Sequence, residues 1–117
     1  MRLFVAVWPS EEVVRTLLTL PRPEITGLRW TTDDQWHVTL RFLGSCDFGD
    51  AAAAFSQIAA SSTTAVMGPA IDRFANAILH VPVSGLDELA AATLAATADV
   101  GEPPDGRPFQ GHLTLAR

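Results

Sequence analysis

Two copies of one short pattern, HVTL at residues 37–40 and HLTL at residues 112–115, hold the residues best suited to catalysis. In a β-strand, side chains two positions apart point to the same face. Each copy is therefore predicted to present an imidazole beside a hydroxyl, with its two aliphatic side chains turned into apolar packing. An imidazole titrates near neutral pH, so His37 and His112 together predict general acid–base catalysis at one two-sided site.

Zinc binding is an alternative interpretation of paired histidines. A catalytic zinc needs a third protein ligand, and neither motif has one two positions away on its own face. Asp33 and Asp34 lie just upstream of the first motif and are assigned to a turn. The third histidine, His80, has no threonine partner and is expected to be structural or to line the cleft. We therefore expect neither a metal nor another cofactor.

Length, composition and charge bound the class of protein. With 117 residues and 48% hydrophobic content, the chain is expected to form a single domain, residues 1–117, with its own core. A net charge of -5 excludes a broad basic surface for long nucleic acid. The apolar run at residues 3–8 is too short to span a membrane, and the lone Cys46 suits a reducing compartment. A cytoplasmic protein without membrane contact is expected.

The elements around the motifs indicate an internal duplication of residues 3–44 as residues 78–117. Each half has the pattern strand, helix, loop and motif strand, and a proline in or just after its first strand lies 28 or 30 residues before the motif histidine. A pseudo-twofold relation would bring the two motif strands together across a cleft. The predicted elements are strands at 3–8 and 78–83, helices at 11–20, 50–60 and 86–98 with N-caps at Ser10 and at Ser84 or Gly85, and a hairpin of 63–71 with 77–81 around Asp72-Arg73.

Three segments carry a family resemblance: RLFVAV at 2–7, WHVTLRFLG at 36–44 and RPFQGHLTLAR at 107–117. Together they resemble the 2H phosphoesterase superfamily, and within it the bacterial 2′-5′ RNA ligase and cyclic phosphodiesterase branch. The resemblance implies an α/β (α+β) fold that is bilobal and pseudo-twofold, with mainly antiparallel sheets flanking a central cleft. Two departures stand out. Gly111 occupies a position where relatives commonly carry proline, and relatives continue for several more strands after the second motif.

The activity that the resemblance implies is metal-independent phosphodiester chemistry by the two HxTx motifs. One of His37 and His112 takes a proton while the other donates one to the leaving oxygen, and the assignment depends on the reaction direction and stays open. Thr39 and Thr114 are implied to donate hydrogen bonds to non-bridging phosphate oxygens. The expected reaction is hydrolysis of the 2′,3′-cyclic phosphates of RNA ends or nucleotides to 2′-phosphomonoesters, with 2′-5′ RNA ligation as a further activity.

Two arginines complete the expected substrate-binding set. Arg41 shares the face of His37 and Thr39 by strand parity, which places it within reach of a phosphate. Arg117 matches an arginine that the family places five residues after the second histidine, where it is implied to contact phosphate. Strict alternation puts Arg117 on the opposite face from His112, so that role requires a bulge or a strand end.

The absence of further strands leaves two expectations. The strand that carries His112 is expected to lack a neighbour on one edge, and an unpaired edge invites a homodimer. Alternatively, the chain binds nucleotides or RNA ends with little or no turnover. The expected partners are RNA termini or small cyclic nucleotides. Trp8, Trp30 and Trp36 are expected to pack in the core rather than to stack on a base.

Overall fold

The computed structural model describes residues 1–74 and 78–117 of the chain. None of the helices in these ranges has the length and apolar content that crossing a bilayer requires. The elements are β1 (Arg2–Val7), α1 (Glu11–Leu18), β2 (Val38–Ser45), α2 (Phe48–Phe55), β3 (Val66–Met67), β4 (Asp72–Phe74), β5 (Ile78–Ser84), α3 (Asp87–Thr97) and β6 (His112–Ala116), with a 3-10 turn at Asp33–Gln35.

The strands form one antiparallel sheet in the order β1-β2-β6-β5-β3, with β4 also paired to β5. This architecture confirms the α+β class. The last strand in sequence, β6, lies near the centre between β2 and β5.

The expectation of an unpaired C-terminal strand is wrong. On one edge, β6 pairs with β2 only near Leu113, and residues 29–31 cover the rest of that edge. The Thr31 N–H donates to the Leu115 carbonyl at 2.8 Å, and Arg29 and Arg117 exchange two backbone bonds of 2.8 Å each. Because these bonds occupy the polar groups of β6, the basis for a homodimer through this strand is removed.

The apolar core lies on one face of the sheet, under the helices. Val38 of β2 and Leu113 of β6 are 2% and 0% exposed, and they pack against Leu17 of α1 and Leu86 at the start of α3. A second cluster on the same face joins β1 and β2 to Ala51 of α2. Burial of the aliphatic positions of both motifs leaves their polar positions for the other face.

The predicted first helix and its cap are confirmed, since the Ser10 hydroxyl accepts the Val13 N–H at 3.3 Å. The cap predicted at Ser84 or Gly85 is wrong, because Leu86 occupies that position without a side-chain bond. Gly85 instead has φ +93, and a side chain there would collide with the carbonyl of Thr64. A turn with positive φ therefore separates β5 from α3.

Two other predicted elements differ from the structure. The helix between the halves starts earlier and is shorter than residues 50–60, because the Asp47 carboxylate caps it by accepting the Asp50 N–H at 3.1 Å. The predicted hairpin is wrong: the Asp72-Arg73 pair lies inside β4, and both β3 and β4 pair with β5. Ala77, which that hairpin included, lies outside the described residues.

Candidate functional site

The two motif strands meet at the antiparallel pair Val38 and Leu113. That register places His37 opposite Thr114, and Thr39 opposite His112, on the face away from the core. Opposite side chains have Cβ atoms about 4.5–5.5 Å apart, and the two histidines are diagonal neighbours at about 7–8 Å. The structure thus brings the four polar residues of both motifs into one group.

Both motif histidines are oriented by the same backbone contact. The Nδ1–H of His37 donates to the Gln35 carbonyl at 2.7 Å, and the Nδ1–H of His112 donates to the Gln110 carbonyl at 2.7 Å. A carbonyl oxygen only accepts, so this contact places the proton of the neutral ring on Nδ1. The Nε2 atom of each ring is left free for proton transfer.

The hydroxyls of Thr39 and Thr114 are half-buried and form no hydrogen bond to any residue in the described ranges. The neighbouring Thr31 behaves differently, because its hydroxyl donates to the carbonyls of Thr114 and Leu115 at 2.9 Å. Two unengaged hydroxyl donors beside two imidazoles suit an oxyanion with several equivalent oxygens.

Exposed aromatic rings flank His37. Phe4 of β1 stacks on its imidazole at 4.9 Å between ring centroids, and the Trp8 ring lies at 5.1 Å. These two side chains are 45% and 58% exposed. The expectation of core packing therefore fails for Trp8, while Trp36 is 1% exposed and Trp30 packs against the core.

A closed aromatic wall flanks His112. His80 of β5 stacks on Phe74 of β4 at 3.9 Å, and both rings meet His112 edge-on, at 5.3 Å and 4.8 Å. His80 also lies opposite Thr114 in the β5–β6 ladder. It thus lines the cleft, one of the two roles expected for it.

The imidazole of His80 is 4% exposed, and its Nδ1 has no hydrogen-bond partner among the described residues. Burial lowers the pKa of His80, and the nearby His112 lowers it further, whereas Asp72 and the Ile78 carbonyl act in the opposite direction. His80 is therefore neutral near pH 7 and adds no positive charge beside His112.

The prediction that Arg41 shares the face of His37 is wrong, because β2 contains a bulge. Val5 pairs with Arg41 and Ala6 pairs with Thr39, so Leu40 has no partner in β1. One unmatched residue reverses the alternation that follows it. The Arg41 side chain is consequently directed to the helix side of the sheet and is 7% exposed.

The Arg41 guanidinium is held by the end of α3. It donates to the Thr97 hydroxyl at 3.2 Å and to the carbonyls of Thr97, Val100 and Glu102 at 3.1 to 3.2 Å. These carbonyls follow the last helical turn, where acceptors lack helical donors. Arg41 joins β2 of the first half to α3 of the second, and its buried guanidinium lies on the helix side of the sheet, away from the cleft.

Several site residues have no signal in the sequence. Phe4 and Phe74 reach the histidines only through strand pairing, so neither lies near a motif in sequence.

The described residues contain no cluster of three His, Cys, Asp or Glu side chains that could hold a metal ion.

The pseudo-symmetric pair of histidine strands at the centre of one α+β sheet defines a protein of the 2H phosphoesterase type. The model of a family described as LigT like phosphoesterase matches residues 7–68, just over half of the chain, and the chain belongs to that family. Membership implies an enzyme of the phosphoesterase kind. The matched range includes His37 but not His112, so the second motif depends on the structure for its assignment.

Solved structures with the same fold extend the likeness over both halves. TT0787 of Thermus thermophilus aligns with a TM-score of 0.81 and 28% identity, covering 100% of this chain and 74% of its own. LigT of Escherichia coli in its apo form aligns with a TM-score of 0.78 and 23% identity, covering 99% and 71%. A comparison with curated proteins gave no match.

Proposed function

We propose that this chain is a metal-independent phosphodiesterase that opens the 2′,3′-cyclic phosphates of RNA ends or nucleotides to 2′-phosphomonoesters. One observation carries the proposal. Two imidazoles hold their protons on Nδ1 through identical backbone contacts, which leaves two Nε2 atoms on one face beside two unengaged hydroxyls.

The proposed reaction uses the histidines as an acid–base pair. The Nε2 of one ring accepts a proton from water as the water oxygen bonds to phosphorus. The Nε2–H of the other, as an imidazolium, donates a proton to the leaving 3′-oxygen as its bond to phosphorus breaks. Each positioned acid or base is worth about 10²–10⁴-fold in rate. In the reverse, ligase-type direction, the roles of His37 and His112 exchange.

The negative charge that grows on the phosphate is the second requirement of this reaction. Thr39 and Thr114 donate their hydroxyl protons to the non-bridging oxygens from the two diagonal corners of the site. Arg117, exposed two ladder steps beyond Thr114, supplies a positive charge at the same end. Arg41, buried on the helix side of the sheet, takes no part in this proposal.

The nucleoside of the substrate is proposed to lie on the His37 side. Phe4 and Trp8 present exposed aromatic faces there, and a nucleobase stacks on such a face with about 1–3 kcal/mol. Escherichia coli LigT has been crystallised with 3′-AMP and with NADP+, which supports nucleotide-sized ligands for this fold. The net charge of -5 favours short RNA ends or free nucleotides over long RNA.

Incubation of the protein with adenosine 2′,3′-cyclic phosphate in the presence of EDTA tests the proposal, with phosphorus NMR to identify the product. We expect 2′-AMP from the wild type and no product from His37→Ala or His112→Ala. Phe55→Ala, a change at an exposed site on α2, serves as the matched control and is expected to keep full activity. A wild type that binds 3′-AMP without turnover of any cyclic phosphate would identify a nucleotide-binding protein instead.

A further inference from the structure

The two motif strands share very little direct pairing. Among the residues that the structure describes, the ladder between β2 and β6 consists of the single pair Val38 and Leu113. By contrast, β1 and β2 pair over six positions, and β5 and β6 pair over four. A single pair specifies the relative position of two strands weakly, because a ladder gains its rigidity from successive hydrogen bonds. Other contacts must therefore fix His37 relative to His112.

Residues 32–36 form a turn, the connecting turn, between two stretches of chain that lie along the same edge of β6. The first stretch runs along the end of β6, where the Thr31 N–H donates to the Leu115 carbonyl at 2.8 Å. The second stretch is β2, which begins directly after His37. The carbonyl that orients the His37 ring belongs to Gln35, so it is part of this turn. The position of the connecting turn therefore determines the position of the imidazole.

The Thr31 hydroxyl joins the connecting turn to the second motif. It accepts a hydrogen bond from the indole Nε1–H of Trp36 at 2.9 Å. It donates its own proton to the carbonyls of Thr114 and Leu115, which both lie at 2.9 Å. Trp36 is the residue before His37, and Thr114 is the residue opposite His37 in the register of the two strands. One hydroxyl thus connects the segment before the first motif histidine to the strand of the second.

Burial makes this connection costly to break. Trp36 is 1% exposed, so its indole N–H has no access to water if Thr31 loses the hydroxyl. A buried donor without an acceptor destabilises the arrangement that buries it, which favours a shift of the indole towards another acceptor. Because Trp36 and His37 are adjacent in the chain, such a shift displaces the imidazole as well.

We propose that the Thr31 hydroxyl is a positioning group of the site, which sets the separation of the two motif histidines by joining Trp36 to the backbone of Thr114. The inference rests on the proposed function, in which both imidazoles act on one phosphate. A misplacement of about 1 Å in such an arrangement costs about 10²-fold in rate. The protein engages the hydroxyl on both its donor and its acceptor side, so Thr31 acts through the motif strands and not on the substrate.

Two substitutions of Thr31 test the role of the hydroxyl. Thr31→Val removes the hydroxyl and keeps the shape of the side chain, whereas Thr31→Ser keeps the hydroxyl. With adenosine 2′,3′-cyclic phosphate, Thr31→Val is expected to lower kcat about tenfold or more and to leave KM within about twofold of the wild type. Thr31→Ser is expected to keep kcat within about threefold. Equal losses in the two variants, or an unchanged kcat in Thr31→Val, would overturn the proposal.

Thr93→Val is the matched control for the loss of a buried threonine hydroxyl. Thr93 is 0% exposed, and its hydroxyl donates to the Leu89 carbonyl at 2.8 Å within α3. Circular dichroism sets an assay temperature at which every variant is folded. The control is then expected to keep the kcat of the wild type, whatever its effect on stability. A loss of kcat in Thr93→Val as large as that in Thr31→Val would show a general effect of destabilisation and would refute the positioning role.

Trp36→Phe breaks the same connection from its other end, because it removes the indole N–H and keeps an apolar ring. It is expected to lower kcat with little change in KM, as Thr31→Val does. Changes within one hydrogen-bonded connection are not additive, so the double variant is expected to lose no more than about twofold beyond the larger single loss. Single losses that multiply in the double variant would contradict the proposal. If Thr31→Val does not fold, an unchanged kcat in Trp36→Phe overturns the proposal by itself.

Ligand binding gives a readout that does not depend on turnover. In NMR titrations of the wild type with 2′-AMP, the ring C–H signals of His37 and His112 are expected to shift together, because one phosphate contacts both rings. In Thr31→Val, the shift of one ring is expected to fall below about half of its wild-type size. If the wild type hydrolyses no cyclic phosphate yet shows this difference, the proposed reaction fails while the positioning role stands. Identical shifts in the wild type and Thr31→Val would refute the positioning role.

Discussion

The surroundings of the two motif histidines differ although their backbone contacts are the same. Phe4 and Trp8, at 45% and 58% exposed, flank His37. The buried His80 and its stacking partner Phe74 flank His112. The repeated backbone contact determines the tautomer of both rings, whereas the aromatic side chains around each ring differ in exposure. A symmetric pair of histidines thus lies in an asymmetric cleft, open beside His37 and walled beside His112.

The largest expected effect comes from removing either histidine, which tests the symmetric part of this comparison. His37→Ala and His112→Ala are each expected to lower kcat by about 10²–10⁴-fold, because each removes one proton-transfer group. Steady-state kinetics with adenosine 2′,3′-cyclic phosphate measures both, and circular dichroism checks folding. A variant that keeps kcat within about threefold of the wild type would show that the two halves do not share the chemistry.

A substitution of Arg41 tests whether its hydrogen bonds between β2 and the end of α3 stabilise the fold. Arg41→Met is expected to lower the free energy of unfolding by about 3 kcal/mol, because the carbonyls after α3 lose a charged donor. Urea unfolding measures the change, and kcat per folded molecule is expected to stay near the wild-type value. Arg15→Met on exposed α1 is the matched control and is expected to change stability by no more than about 0.5 kcal/mol. If Arg41→Met raises KM instead, Arg41 contributes to substrate binding.

The open side of the cleft is tested by comparing Trp8→Ala with Phe74→Ala. Loss of a stacking face beside His37 is expected to raise KM for the cyclic nucleotide about tenfold with little change in kcat. Loss of the Phe74 ring is expected to lower kcat instead, since that ring contacts both His112 and His80. Equal effects of both variants on KM would contradict the asymmetry.

The smallest effect concerns His80 and the pH dependence of stability. Because its pKa in the folded protein is lowered, the folded state binds fewer protons than the unfolded state as pH falls below about 6.5. Stability from this group is therefore complete above about pH 6.5 and declines below it. Urea unfolding at pH 7.5 and pH 5.5 is expected to show a smaller loss in His80→Phe than in the wild type. If the wild type and His80→Phe lose the same stability between pH 7.5 and pH 5.5, the pKa of His80 is not lowered in the folded protein.

The elements nearest the motifs were predictable from local patterns. The strand at 3–8 and the helix after Ser10 match β1 and α1 closely, and the strand at 78–83 matches β5. The hairpin around Asp72-Arg73 was placed wrongly, because these two residues lie inside β4, which pairs with the start of β5, while β3 pairs with the end of β5. Local propensity indicates a strand but does not determine its partner.

The sequence alone determined which residues are proposed to do the chemistry, because the two-residue period of a strand places each motif histidine beside its threonine whatever the partner strand. Only the tertiary structure decided on which face the arginines lie. A bulge at Leu40 directs Arg41 to the helices, and the unmatched Leu115 in the β5–β6 ladder shifts the parity that leads to Arg117. A bulge is a mismatch between two paired strands, so its position depends on the packing of both strands and is absent from the periodicity of either one.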